Sequence, residues 1–232
     1  MSMMKKQTLP GVVLAMCVLT ACAADKEGAR PESTGTAKRL ALPGPSRTGD
    51  MSLERALANR RSVRDFRDEK LSPKMIGQLL WAGQGISDPR GFRTAPSAGA
   101  IYPLELYLVS PEGVYHYMPE KHVLVKVKGS DRRRKLADAA LGQRWVEEAA
   151  IDIVIAAVYE RTETRYGGRA YRDVHMEAGH AAENILLQAV SLGLGAVPVG
   201  AFDGERVADV LSLPEQHRPL YIIPAGVPSA EE

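Results

Sequence analysis

Thiols are missing from almost the whole chain: of 232 residues only Cys17 and Cys22 are cysteine, both close to the start. The remainder can form no disulfide, offers no cysteine nucleophile and has no thiolate metal site. A long hydrophobic run is also lacking. The one apolar stretch, Leu9 to Leu19, falls short of the roughly 20 residues a bilayer-spanning helix requires, and Asp25, Lys26 and Glu27 follow it closely. Charge of one sign is scarce, since 30 Lys and Arg against 28 Asp and Glu leave a formal net charge of +2. That balance argues against nucleic-acid binding, which takes a concentrated basic face to neutralise phosphates. The dense cluster Arg132-Arg133-Arg134-Lys135 reads as the solvated face of a helix.

The common nucleotide fingerprints are absent too. Gly193-Leu194-Gly195 is a GxG, but Pro198 stands where the third glycine belongs, and the segment follows a helix where a dinucleotide loop needs a strand. No GxxxxGK[ST] occurs, so no standard phosphoryl-transfer loop is present. His175, Glu177 and His180 lie close together, yet the two histidines are five apart where one helical face needs three or four. A solvated or core-capping role suits them better than a metal, and no metal is expected. His116, His122 and His217 are isolated, and neither Ser62 nor Ser97 has a histidine and an acid in a nucleophile-elbow pattern.

At the start, Lys5 and Lys6 precede the short apolar run, and Leu19-Thr20-Ala21-Cys22 closes it with small residues before a cysteine. This tetrapeptide resembles the bacterial lipoprotein signal. The resemblance implies cleavage after residue 21, diacylation of Cys22 and attachment to a membrane of the cell envelope, on its periplasmic or extracellular face. Loss of Lys5 and Lys6 then brings the formal charge to zero. Residues 22–50, rich in Ala, Gly, Pro, Ser, Thr and charge, read as a tether. Residues 51–230 are the size of one domain.

Within that domain Ser52 caps a helix running to about Arg60, and Ser72-Pro73 supplies a cap and a first-turn proline for a helix ending near Gly85. Leu104–Val109, Val114–Met118 and Val123–Val127 read as a strand meander. Ser130-Asp131 opens a helix, Ile151–Tyr159 is a strand buried on both faces, and Val174–Leu192 is a long helix whose Ile185, Leu186, Ala189 and Leu192 are core. Val197–Phe202, a short helix around Val207–Leu211 and a strand Leu220–Ala225 complete the chain. Helices and strands mix without strict alternation, which points to an α+β fold.

Three segments carry chemistry. Arg60-Arg61-Ser62-Val63-Arg64 places three guanidiniums and a hydroxyl at a helix end, either as a surface patch or as a clamp for phosphate and a heteroaromatic ring. Pro96-Ser97-Ala98-Gly99-Ala100-Ile101-Tyr102-Pro103 runs into a strand. Its prolines fix the loop, and its small residues admit a flat ligand or merely make a connection. Gly193 to Phe202 offers backbone amides with little side-chain bulk.

Together and in this order, the three segments resemble the FMN-dependent nitroreductase superfamily. Within it they are most similar to the SagB/ThcOx-type dehydrogenases, whose members include oxidases that turn thiazolines and oxazolines into thiazoles and oxazoles. The resemblance spans about Ser52 to Pro228 and includes Glu177-Ala178-Gly179-His180 on the long helix. It implies an α/β/α sandwich around a mostly antiparallel sheet, an obligate homodimer and FMN as cofactor. It assigns Arg60, Ser62 and Arg64, with Arg61 alongside, to the flavin phosphate and ring. Pro96, Ser97, Ala98 and Ala100 would reach the FMN held mainly by the other subunit, and Pro198, Val199, Gly200 and Ala201 would face its redox nitrogen.

The chain departs from simple nitroreductases at Gly200 and Ala100, where many have an acid and an asparagine, and no cation follows Arg218. Phosphate binding is therefore expected to rest on the Arg60 region. A flavin accepts and returns the hydride itself, so no dedicated acid or base is expected, with Tyr102, Tyr166 and Tyr171 as the candidate proton donors. Substrate loops are expected around residues 86–93 and 161–172. Outside the cytoplasm NAD(P)H is scarce, so oxygen or a membrane carrier stands beside nicotinamide as the redox partner. A non-catalytic envelope lipoprotein that keeps the fold to bind flavin or another planar ligand is the alternative.

Overall fold

The computed structural model describes residues 38–229. The expected signal peptide, Cys22 and the first part of the tether lie outside the described residues. Seven strands form one sheet in the order β1-β4-β3-β2-β5-β7-β6, with every pairing antiparallel. β2 (Leu104–Ser110), β3 (Gly113–Met118) and β4 (Val123–Lys128) make the expected meander. At the centre, β5 (Ile151–Ala157) is buried along its whole length, because it is a near-continuous apolar run covered from both sides.

Strand alternation sends Leu104, Leu106, Leu108, Ile151, Ile153 and Ile155 to one face. There they pack with Leu79 and Leu80 of α2 (Pro73–Gln84) and with Val174, Ala178, Ala181, Ile185 and Ala189 of α6 (Ala170–Ser191). Tyr107, Val109, Val154 and Ala156 face the other way. They meet Leu136 of α3 (Arg133–Ala139), Val146 of α4 (Arg144–Glu148), and Val207 and Leu211 of α7 (Gly204–Leu211). This is an α+β fold, an α/β/α sandwich on an antiparallel sheet.

Caps fix several boundaries where the sequence places them. The Ser52 hydroxyl accepts the Arg55 N–H at the start of α1 (Leu53–Asn59), and Ser72 does the same for Met75 at α2. Asp203 caps α7 through Arg206 N–H. Elsewhere the boundaries move. α3 begins at Arg133 instead of Ser130-Asp131, because the Asp131 carboxylate spends itself on the Arg133 N–H and guanidinium. α6 begins four residues early, its first turn anchored by the i,i+4 pair Arg169–Asp173.

The tether assignment needs correction at its C-terminal end. Arg39–Ala41 form β1, paired with Val123–Val125 of β4, and Ser46 exchanges backbone hydrogen bonds with the Gln78 side chain. A strand of three residues in a polar, Pro-rich stretch carries no periodic signal of its own; the exposed edge of β4 recruits it. The segment 161–172 is likewise no loop: α5 (Tyr159–Tyr166), a 3₁₀ turn and the start of α6 fill it. Val197–Phe202 is not a continuous strand. β6 is only Gly195–Ala196, and Val199 meets Ile222 of β7 (Arg218–Gly226) through a single bridge.

Candidate functional site

The arginine segment leaves α1 at Arg60, the C-cap, whose N–H bonds to Ala56 O and whose backbone then turns extended. It runs beside the outermost strand of the sheet. Ser62 forms a parallel bridge with Ala196, and the Val63 N–H donates to Ala196 O at 3.1 Å. Further on, Phe66 bridges Pro228 and the Arg67 N–H donates to Val227 O at 2.9 Å. The segment is thus stitched at both ends to the C-terminal side of the sheet, which gives its side chains a rigid base.

Those side chains are differently placed. Arg60 Nε lies 3.5 Å from Glu183 Oε1 on α6. Arg61 folds back, its Nη1 donating to Ala58 O and Arg60 O. The Arg64 guanidinium lies over the Trp145 ring of α4, 5.3 Å from its centre. Ser62 and Arg64 are exposed and Arg60 is half-buried. Three cations and a hydroxyl therefore line one edge, each held without being neutralised by a buried partner.

The glycine-rich turn sits against that edge for a steric reason. A Cβ on Gly195 would lie 2.6 Å from Val63 Cγ1, so only glycine lets the arginine segment approach β6 this closely. Past it, Val199 is buried and exchanges two hydrogen bonds with Ile222. Gly200 and Ala201 are exposed, and Ala201 O accepts from Gln143 Nε2. Pro198 is half-buried. The turn shows its backbone to solvent at Gly200 and Ala201.

The Pro-Ser loop is built on strain. Gly99, Ala100 and Tyr102 all have φ near 55–62°, the left-handed region that non-glycine residues rarely adopt. Side chains hold it there: Ser97 Oγ accepts the Tyr102 N–H at 2.9 Å, the Tyr102 hydroxyl accepts the Arg93 N–H, and the Arg93 guanidinium covers the Tyr102 ring at 4.9 Å. Pro96, Gly99 and Ala100 are exposed, and Ser97 and Ala98 half-buried. From α5, Arg165 and Tyr166 close over Gly99, since a Cβ there would lie 2.7 Å from the Tyr166 hydroxyl. Tyr166 and Tyr102 are therefore at the loop. Tyr171 is not shown there: it is exposed and stacks on Tyr159.

Beside the loop stands Glu177 of α6, which the sequence marks only by its place in the Glu-Ala-Gly-His string and between His175 and His180. It is 3% exposed, and its Oε1 has no hydrogen-bond partner. Burial pushes its carboxyl up to about 7, against the opposing pull of the Ser97 hydroxyl and the Arg93 charge. No period of 3.6 could mark it, because a buried acid among alanines looks like an ordinary polar break in the stripe.

Among the described residues, the arginine segment and the glycine turn are joined directly, and the Pro-Ser loop shares no hydrogen bond or ion pair with either. A groove of about 360 Å³ between α1, α2 and α6 is lined by Ala56, Trp81, Thr94 and Asn184, and one of about 640 Å³ by Ser46, Lys74, Gln78 and Gln188. Neither contains Arg60, Arg64 or residues 198–201. The segment 86–93 is a closed turn, with Ile86 bridging Arg93 and Asp88 gripping Arg90, and it lines neither groove.

Comparison with known proteins gives these features a lineage. A curated protein of Methanocaldococcus jannaschii that carries the name nitroreductase is 44% identical over 183 residues, 76% of this chain and 91% of that one. The FMN reductase [NAD(P)H] of Bacillus subtilis is 25% identical over 75% of this chain and 65% of its own. A crystal structure from Ralstonia eutropha, also named a nitroreductase, superposes with a TM-score of 0.77 at 32% identity, covering 85% of this chain and 93% of that one. The model of the nitroreductase family matches residues 57–227, from α1 through the last strand, and the chain belongs to that family.

Proposed function

We propose that this protein is an FMN-dependent oxidoreductase, of the nitroreductase and SagB-type dehydrogenase kind, that moves a hydride between flavin and a small substrate. One observation carries the reading. The half-buried Arg60, the exposed Arg64 and the Ser62 hydroxyl are fixed along one edge, directly against a turn whose Gly200 is exposed and would meet only Tyr221 Cε1, at 3.9 Å, if it carried a Cβ. The donor set fits the cofactor: guanidiniums grip a phosphate bidentately, and a turn without side-chain bulk admits a flat ring.

FMN, when bound, supplies the hydride chemistry. The chain's own residues bind and orient. Arg60, Arg61 and Arg64 counter the phosphate charge, and Ser62 adds a hydroxyl donor. Pro198, Val199, Gly200 and Ala201 present backbone to the ring edge. Pro96, Ser97, Ala98 and Ala100 present a rigid backbone to a second copy's flavin, which makes the protein a homodimer. That arrangement accounts for a Pro-Ser loop unconnected to the arginine edge of its own chain, and for Leu53 and Leu57, one turn apart on α1, standing exposed. Tyr102, within the loop, and Tyr166, whose hydroxyl lies over Gly99, are the two candidate proton donors at the loop. Lipid on Cys22 would hold this dimer at the envelope, with nicotinamide, oxygen or a membrane carrier as its redox partner.

Purified residues 23–232 test the reading. Yellow protein whose flavin is bleached by a reductant and restored by an acceptor is the expected result. Yellow protein that does not turn over leaves the flavin-binding lipoprotein that Gly200 suggests, and colourless protein that ignores added FMN removes both.

A further inference from the structure

Glu177 is a buried acid at the Pro-Ser loop that the reading above leaves without a task. Its Oε1 has no partner, and its polar neighbours are the Ser97 hydroxyl and the Arg93 guanidinium. Arg93 is already committed, donating to Gln84 and Glu120 and covering the Tyr102 ring. Ser97 Oγ accepts the Tyr102 N–H, which leaves its single hydrogen free to be donated.

We infer that the proton on Glu177 decides where the Ser97 hydroxyl points: toward Glu177 when that carboxylate is ionised, and outward to a bound flavin when it is neutral. This rests on the FMN reading. An ionised carboxylate can only accept, so it takes the Ser97 hydrogen. A neutral one donates its own hydrogen to the second lone pair of Ser97 Oγ and releases the hydroxyl hydrogen to the loop surface. Glu177 is therefore a positioning residue that acts on the cofactor through Ser97.

Burial, working against the charged groups around it, places the change near neutrality. Burial raises the carboxyl to about 7 although Arg93, from the loop after α2, opposes it. One turn back on α6, Asp173 is paired with Arg169 and Arg172, and from α5 Arg165 lies over Gly99.

The test is FMN titration of wild type and Glu177→Gln at pH 6 and pH 8, read by flavin fluorescence. A glutamine amide donates at every pH and so stands in for the neutral acid. Equal affinities are expected at pH 6, with the variant binding about tenfold tighter at pH 8, the worth of one hydrogen bond. Taking the ratio of the two proteins cancels the titration of the FMN phosphate itself, whose second pKa is about 6. A ratio that does not change with pH overturns the inference. Failure of both proteins to bind FMN at either pH instead overturns the flavin reading. The coupling is then decided by ¹³C NMR of the Glu177 carboxyl: its midpoint should rise in Ser97→Ala, which removes a group holding it down, and an unmoved midpoint overturns the coupling.

Discussion

At the scale of single residues, the arginines and Glu177 illustrate opposite relations between charge and burial. Arg60 and Arg64 are held by packing at the surface, so removing their guanidiniums takes away little buried area. Arg60→Ala combined with Arg64→Ala should leave the melting temperature within a few degrees of wild type while releasing the flavin. Stoichiometric FMN retained through gel filtration by the folded double variant would refute the phosphate assignment. Glu177 is the reverse case, a charge that the fold keeps out. Its folded pKa is raised from 4.5 to about 7, so between those values the unfolded chain has released a proton that the folded chain keeps. Wild-type stability therefore falls as pH climbs through this window and levels off above it. Glutamine does not titrate, so the stability of Glu177→Gln relative to wild type should grow by about 3 kcal/mol between pH 4.5 and pH 8. Urea midpoints at the two pH values measure it, and a difference independent of pH would disprove the shift. Asp152, fully buried with neither oxygen partnered and its carboxyl raised far above the usual range, acts in the same direction. It is present in both proteins and cancels.

At the scale of elements, α5 is the part of the site that tertiary contacts hold in place. Its sequence is polar, and Val158, at its N-cap, makes no side-chain cap. What pins it is Arg161, whose Nη2 lies 2.6 Å from Glu105 Oε1 on β2 and whose Nη1 donates to Tyr102 O in the Pro-Ser loop. Glu105 is in turn bonded to His116 of β3, and these partners keep its carboxyl below the ordinary range despite burial. Arg161→Met keeps the aliphatic stem and removes both links. Amide hydrogens of residues 160–166 should then exchange roughly tenfold faster, about 1.4 kcal/mol of local opening, with β5 unchanged. Equal protection in the two proteins would mean that α5 is held by something else. The same element shows where reading the sequence stops. Ser52, Ser72-Pro73 and the apolar run Ile151–Ala157 announce α1, α2 and β5 by local chemistry. α5, α4 and β1 are short, polar or both, and form because neighbours supply the partners that their own residues do not.

At the scale of the whole molecule, the proposed site is divided between two surfaces of one chain, so assembly and cofactor binding should be linked. If two copies build each site, dilution that separates them must also release FMN. The flavin fluorescence and the sedimentation coefficient should change over one concentration range, and a monomer that retains its flavin would sink the shared-site arrangement. The three chemistry-bearing segments were legible one by one, as an RRSxR run, a Pro-Ser loop and a glycine-rich turn, because residue type and order are written in the chain. The α+β class and the antiparallel meander were legible for the same reason, through periods of two and 3.6. Only the folded chain shows that Val63 closes on Gly195, that Ala100 and Tyr102 are forced into left-handed backbone, or that Glu177 lies buried beside Ser97. Residue identity and local periodicity belong to the sequence, whereas approach distance, strain and the energetic state of an acid depend on what packs around it, and those neighbours come from segments tens of residues away.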